Sequence, residues 1–455
     1  MNSLHERDRA HTLHPYANLD QIEKDGSLVV SRGNGMYVFD DQGNRYIESV
    51  AGLWSASLGF GGEPRLVQAA AKAMETLPFY HQFGPKAHEP GIVLAERLIE
   101  MAPVPMSKVF FACSGSEAND TAVKFVWYYN NVKGRPEKKK IISRLRGYHG
   151  VTIGAASLTG LPHNHAHFDL PIKNVLHTHC PHYYRGAQEG ETEEAFVKRI
   201  TDDLEQMILD EGPETVAAFI AEPLNGAGGV VIPPKGYFER VQEILKKYDI
   251  LFIADEVICG FGRTGKAWGS LTFDLRPDIL TCAKMLTASY LPLSAVMVRD
   301  EIYNEMIKGS TEVGTFGHGF TYGGHPVACA VALECLDIYE ERGLYDHVAQ
   351  HGPYMQEVLR GFSDHPLVGE VRGVGYVAGL ELVADKASKR PLEKSMGVAP
   401  FMIAKCQELG MISRAVGDTI CVSPPLIATR DDIDAIAGIL TKALDETYAA
   451  FKDRL

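Results

Sequence analysis

Lys284 closes the stretch Asp278-Ile279-Leu280-Thr281-Cys282-Ala283-Lys284, downstream of an apolar run, Leu251-Phe252-Ile253-Ala254, that stops abruptly at Asp255-Glu256. A lysine in apolar surroundings has its ammonium destabilised by desolvation, which frees the amine to attack an aldehyde as a Schiff-base nucleophile. A carboxylate at a strand end can keep a ring nitrogen protonated. Pyridoxal phosphate needs both groups, one for its aldehyde and one for its pyridine nitrogen. It also needs a seat for its phosphate. Cys113-Ser114-Gly115-Ser116-Glu117-Ala118-Asn119-Asp120 leads into a helix whose apolar face is Ala118, Ala122, Phe125, Val126 and Tyr129. There Ser114 and Glu117 read as a capping box, Gly115 lets the backbone approach an anion, and Ser116 offers a hydroxyl beside the helix N-terminus.

Two further strand ends carry useful groups. Gly147-Tyr148-His149-Gly150 places an aromatic ring where it can stack on a planar cofactor, and Glu222-Pro223 precedes the flexible backbone of Asn225-Gly226-Ala227-Gly228-Gly229. Each motif has a blander reading: a capping Asp, a well-capped helix without ligand, a half-buried turn tyrosine. Together, at successive strand ends, they mark a crevice at the carboxyl edge of an open α/β sheet.

The elements that must position these groups are readable in outline. Apolar runs at Val109–Ala112, Lys140–Ser143, Val216–Ile220, Leu251–Ala254 and Ala295–Val298 alternate with helical patterns, which predicts a mostly parallel sheet covered on both faces. Tyr237, Val241, Ile244, Leu245 and Tyr248 outline the helix before Leu251, and another helix begins near Pro326. A smaller unit follows, with antiparallel strands between Leu367 and Val383 and a closing helix through Ile433, Ile436, Leu440 and Leu444. Near the N-terminus, Leu28–Val30, Met36–Phe39 and Tyr46-Ile47 predict a hairpin turning at Asp40-Asp41-Gln42-Gly43.

At 455 residues the chain exceeds the roughly 250 to 300 at which one core stops growing, so two domains are expected. A hydrophobic content of 45% excludes disorder, and a net charge of −13 argues against non-specific binding of nucleic acid or anionic membranes. Lys138-Lys139-Lys140 reads as a solvated loop before a strand. No apolar leader or membrane span is visible, and eight scattered cysteines without a CxxC pair predict reduced thiols in a cytoplasmic protein.

With these residues in view, the chain resembles the class III, pyridoxal-phosphate-dependent aminotransferases of fold type I, in the ω-amino acid and amine:pyruvate transaminase group. The resemblance covers essentially the whole chain. Phe252-Ile253-Ala254-Asp255-Glu256-Val257-Ile258-Cys259-Gly260-Phe261-Gly262-Arg263-Thr264-Gly265 and Asp278 to Lys284 carry it. Supporting matches are Ser114 to Ala118, Tyr148-His149-Gly150, Gly319-Phe320-Thr321-Tyr322, Gly324-His325-Pro326, and Arg414 ahead of Gly417-Asp418. The resemblance implies an α/β fold with a large cofactor-binding domain over 60–325 and a smaller α+β domain made from 1–59 and 326–455. It implies that Lys284 carries the cofactor and moves the proton, and that Asp255 holds the pyridine nitrogen. Val257 and Tyr148 would pack on the two ring faces, with Glu222 also among the cofactor-binding residues. Gly115 and Ser116 would bind phosphate with Thr321 from a partner subunit, hence a homodimer with shared sites, alone or paired into a tetramer.

For substrates, the resemblance implies a pocket of Trp54, Tyr148 and Phe320, with Trp54 the first to touch substrate and Phe79 either pocket or core. Arg414 would grip the carboxylate of a 2-oxo acid. Relatives using dicarboxylates typically carry Arg after the aromatic-His-Gly motif; Val151 stands here, which favours pyruvate over 2-oxoglutarate. Met285 departs from the Gly common after the lysine. The alternatives are a 2-oxoglutarate-linked 4-aminobutyrate or diamine aminotransferase, a non-transaminating enzyme on the same cofactor, and a metal protein using His163, His165 and His167 or His177, His179, Cys180 and His182, whose spacing also suits an ordinary loop.

Overall fold

A computed structural model describes residues 3–455. Its central sheet has seven strands: β1 (Lys108–Ala112), β2 (Lys140–Arg144), β3 (Val175–Thr178), β4 (Val216–Ala221), β5 (Leu251–Asp255), β6 (Ile279–Cys282) and β7 (Ser294–Val298). In space they run β1-β7-β6-β5-β4-β2-β3. Strands β2 to β6 pair in parallel, while β7 lies antiparallel to both β1 and β6. The carboxyl ends of β1, β2, β4, β5 and β6 therefore share one edge, and β7 starts there.

The strands read as unbroken apolar runs because both faces are covered. All six residues of β4 are buried. Alternate side chains leave opposite faces, so Phe219 and Phe252 pack against the helices Glu193–Glu211 and Tyr237–Lys247, whereas Ile220 and Ile253 pack against Gly115–Val132 and Asp300–Val313. Burying a side chain of this size contributes about 1.5 to 3 kcal/mol. The helix faces expected at Ala118–Tyr129 and Tyr237–Leu245 are the buried ones.

The other two sheets are smaller. Val30–Asn34, Tyr37–Asp40 and Arg45–Glu48 form a meander that takes Met411–Ile412 as a parallel fourth strand. Its turn is held by Asp40, whose carboxylate accepts from the backbone N–H of Gln42 and Asn44. Val368–Val374 and Val377–Leu382 pair antiparallel with Thr419–Val422, which pairs with Arg414–Val416. Helices Pro326–Glu341 and Arg430–Phe451 pack into the large core beside these sheets. Among the described residues, no helix is long and apolar enough to cross a membrane.

One sequence expectation needs correction, that for the triple lysine, and three further features went unread. β7 runs antiparallel, a direction that its composition does not encode. β3 and β6 are strands that the sequence pattern passed over, each only four residues long. The polar N-terminus folds into two short helices, Leu4–His11 and Leu19–Asp25, capped by Ser3 and Asn18 and burying no residue, so no apolar periodicity announces them. The triple lysine is not solvated: Lys138 is buried with its ammonium donating to the Tyr248 carbonyl at 3.2 Å, and Lys140 pairs with Glu211 at 2.6 Å.

Candidate active site

The shared strand edge opens into a cavity of about 420 Å³ whose lining includes Ser114, Gly115 and Ser116 after β1, Tyr148 and His149 after β2, Glu222 after β4, Asp255 and Val257 at β5, and Lys284 after β6. Asp255 is 2% exposed. Its carboxylate accepts from three donors: the Asn119 amide at 2.7 Å, His149 Nδ1 at 2.8 Å and the Val257 backbone N–H at 3.0 Å. Asn119 is aimed in turn by Thr281, which donates to its oxygen at 2.9 Å, and by the His149 carbonyl, which accepts from its amide at 2.7 Å. An unpaired buried carboxylate would cost several kcal/mol, so these donors are what allow the group to sit there.

Lys284 opens a 3₁₀ turn, Lys284–Thr287, at φ 52°, a left-handed conformation that costs a non-glycine residue on the order of 1 to 3 kcal/mol. Its side chain is half-buried. Burial pushes the ammonium pKa down to about 8, against the opposing charges of Asp255 and Glu222, while Arg414 adds to the fall. Glu222 accepts from the backbone N–H of Tyr148 and of Gly226, both at 3.0 Å, and burial pushes its pKa up. Burial also raises the pKa of Tyr148, and the nearby Tyr16 adds to the rise.

The helix Gly115–Val132 presents its N-terminus to the same cavity. A Cβ at Gly115 would lie 3.1 Å from both Val257 methyls, and one at Gly150 would lie 2.3 Å from Ser116 Oγ, so glycine at both keeps the backbone tight around the hollow. Ser116 Oγ accepts from the Val151 N–H at 3.0 Å, leaving its proton to donate. The capping box is only half formed. Ser114 caps Glu117 N–H at 3.2 Å, but the Glu117 carboxylate reaches past the cap to Cys113 N–H at 2.7 Å.

Trp54, Phe320, Thr321 and Arg414 lie outside this lining in the single chain. Trp54 is 2% exposed and packs with Val50, Leu224 and Ile258, so direct substrate contact is not what the isolated chain presents. Its ring instead sits between two cations, with Lys284 Nζ 5.7 Å and the Arg414 guanidinium 5.5 Å from its centroid. Arg414 is half-buried, and no carboxylate among the described residues pairs with it. Phe320 packs edge-on to Phe110 and His318. Thr321 is exposed. Phe79 is neither core nor cavity: it is exposed and set edge-on to Tyr322 at 5.8 Å. The histidines considered for metal are engaged singly, His165 on the Ala156 carbonyl, His177 on the Leu158 carbonyl and His179 on Asp203. His182 approaches Glu370 and Glu381, but Arg372 already binds both carboxylates at 2.7 Å.

Sequence reasoning missed Asn119, His149 and Thr281 as partners of Asp255. All three lay inside quoted motifs, and a polar residue in an otherwise apolar stretch was the available signal. The ensemble fits pyridoxal phosphate: a helix N-terminus and Ser116 for the phosphate, Asp255 for the ring nitrogen, the Lys284 amine for the aldehyde, with Val257 and Tyr148 on the lining between.

Comparison with known proteins agrees. The family model for class-III aminotransferases matches residues 20–444. Gamma-aminobutyrate transaminase 1, mitochondrial, of Oryza sativa subsp. japonica is 52% identical over 431 residues, covering 94% of this chain and 83% of its own. An omega transaminase from Pseudomonas jessenii, solved in complex with PMP, superposes with a TM-score of 0.97 at 54% identity, covering 98% of this chain and 99% of its own. A transaminase solved with L-alanine superposes at 0.92 and 57%, covering 93% and 100%.

The depressed pKa of Lys284 predicts its reactivity in the cofactor-free protein. Labelling by a small amine-directed reagent, followed across pH and read by peptide mapping, should reach half its maximal rate near pH 8 at Lys284. Surface lysines should need about pH 10.4, and the same midpoint at Lys284 would contradict the burial argument.

Proposed function

The chain belongs to the class-III aminotransferases, and we propose that within this family it passes the amino group of an ω-amino acid or primary amine to pyruvate. When bound, pyridoxal phosphate supplies the electron sink that makes the hydrogen on the amine-bearing carbon acidic. The residues around it divide the remaining work. Asp255, fixed by its three donors, holds the proton on the pyridine nitrogen. Lys284 would hold the cofactor through its amine and would move the proton of the substrate's amine-bearing carbon, a task suited to an amine with a pKa of about 8. Gly115, Ser116 and the helix N-terminus hold the phosphate, joined by Thr321 from a partner subunit. Glu222 keeps Tyr148 and the glycine-rich loop in place.

The observation that carries the choice of acceptor is the unpaired guanidinium of Arg414 over Trp54. It offers one cation, enough for a monocarboxylate such as pyruvate. At Val151 and its neighbour Ile153, both exposed, there is none for the second carboxylate of 2-oxoglutarate. The neighbour solved with L-alanine, the aminated form of pyruvate, supports this direction. The rice relative supports 4-aminobutyrate, an ω-amino acid, as the first donor to try. The exposed aromatic patch of Phe79, Tyr80, Phe83 and Tyr322 supports a homodimer built across this face.

With 4-aminobutyrate as donor, pyruvate should turn over faster than 2-oxoglutarate, and Arg414→Ala should lower kcat/KM for pyruvate by about ten- to a hundredfold. The half-reaction with an uncharged arylalkylamine should change much less. Equal losses in both half-reactions would make Arg414 structural, and a preference for 2-oxoglutarate would overturn the acceptor.

Thr321→Ala should weaken cofactor retention, and sedimentation should find the holoenzyme at dimer mass or a multiple of it. A fully active monomer would contradict the shared site.

A further inference from the structure

Tyr339 lies near the end of the helix Pro326–Glu341, buried in the large core, where a phenol hydroxyl needs a partner. It has two. The hydroxyl donates to the Met285 carbonyl at 2.6 Å and meets Ser57 Oγ at 2.5 Å. A carbonyl can only accept, so the Tyr339 proton is spent on Met285 and the Ser57 hydroxyl must donate to the phenol oxygen. Ser57 and Met285 are buried as well. Burial raises the pKa of Tyr339, which keeps it a donor at neutral pH.

Met285 directly follows Lys284, in a turn where Lys284, Ala288 and Ser289 all have positive φ. The turn's own closing bonds are longer: Ala288 N–H reaches the Met285 carbonyl, and Ser289 N–H the Lys284 carbonyl, both at 3.2 Å. Tyr339 thus supplies the shorter bond, and supplies it from another element. The Met285 thioether is fixed too, accepting from Nη2 of the fully buried Arg263 at 3.5 Å. At its far end the chain of hydroxyls reaches Ser57, three residues beyond Trp54, whose ring centroid lies 5.7 Å from Lys284 Nζ. Neither Tyr339 nor Ser57 nor Met285 lines the cofactor cavity.

We propose that Tyr339 is a positioning residue for transamination: oriented by Ser57, its hydroxyl clamps the Met285 carbonyl and so holds the left-handed turn that aims the Lys284 amine. The inference rests on the reading of Lys284 as the lysine that binds the cofactor. A lysine in this backbone conformation persists only where its surroundings over-determine it. Losing the hydroxyl keeps the ring and its packing but lets the peptide after Met285 turn, and the amine one residue earlier loses its fixed aim.

A double-mutant cycle on the full chain tests this. Cofactor-free protein is titrated with pyridoxal phosphate, and the visible absorbance and circular dichroism of the bound cofactor are recorded. Tyr339→Phe should weaken binding about three- to tenfold, the worth of one hydrogen bond, and alter the dichroic band. In a Lys284→Ala background, where the turn has no amine to aim, the same substitution should change neither. Ser57→Ala leaves the phenol in place without its donor, so it should shift both readings the same way by less and add nothing to Tyr339→Phe. Should Tyr339→Phe fail to fold, Ser57→Ala in the same two backgrounds carries the test. Equal effects in both backgrounds, or no effect in wild type, overturn the inference alone. Wild type and Lys284→Ala binding pyridoxal phosphate with the same affinity and the same absorbance band would overturn the reading of Lys284 beneath it.

Discussion

Asp255 carries its carboxylate out of water at the end of β5, within reach of the charge on Lys284, and the surrounding elements are arranged around the donors it requires. Those donors come from different parts of the chain: Asn119 from the helix after β1, His149 from the loop after β2, and the Val257 N–H from β5's own exit. Thr281, which aims Asn119, stands directly opposite Asp255 in the parallel pairing of β5 with β6. A one-residue slip in that register would turn Thr281 to the other face and leave Asn119 free to rotate. The same strand, three residues after Thr281, delivers Lys284. Strand order, register and site chemistry are therefore one problem, solved by placing four parallel carboxyl ends around a single buried anion.

The smaller sheets answer a second need, which is to bring Arg414 and the Trp54 ring close to Lys284. Met411–Ile412 pairs with Arg45–Glu48, and Arg414 follows at once in the neighbouring sheet. Glu48, at the end of its strand, accepts from the N–H of Val50 and Gly52 and so bends the chain that bears Trp54; burial pushes its pKa up to about 7 despite those bonds. Ala51, Gly52 and Trp54 all have positive φ. Lys284, whose Nζ lies 5.7 Å from the Trp54 ring centroid, also has positive φ, so left-handed backbone stands on both sides of this contact. Arg263, fully buried, ties the loop after β5 to this region by donating to the carbonyls of Tyr376 and Pro424.

Much of this was legible in the sequence because the cofactor's demands are chemical opposites at fixed separation. A carboxylate ending an apolar run, a lysine in an apolar flank and a serine-glycine turn opening a helix can be recognised before any fold is known. Positions set by distant contacts were not legible. His149 was read for its neighbour Tyr148, and its own role depends on Asp255 arriving from 106 residues away. Glu117 suits a capping box by spacing, yet the turn at Cys113 offers it a better donor. Trp54 matched a pocket position, but its burial in the isolated chain follows from the bent segment at Glu48, which no periodicity records. Tyr339 sat at the end of an apolar helical pattern, and only the fold brings its hydroxyl to the Met285 carbonyl.

If Asp255 acts by electrostatics on a bound pyridine ring, Asp255→Asn isolates that role, because the amide keeps the shape and removes the charge. Both half-reactions of the purified variant should be followed by single-turnover absorbance. The variant should still bind pyridoxal phosphate, while both half-reactions slow by at least about a hundredfold. Half-reactions at near wild-type rates in a variant that binds the cofactor normally would contradict that role.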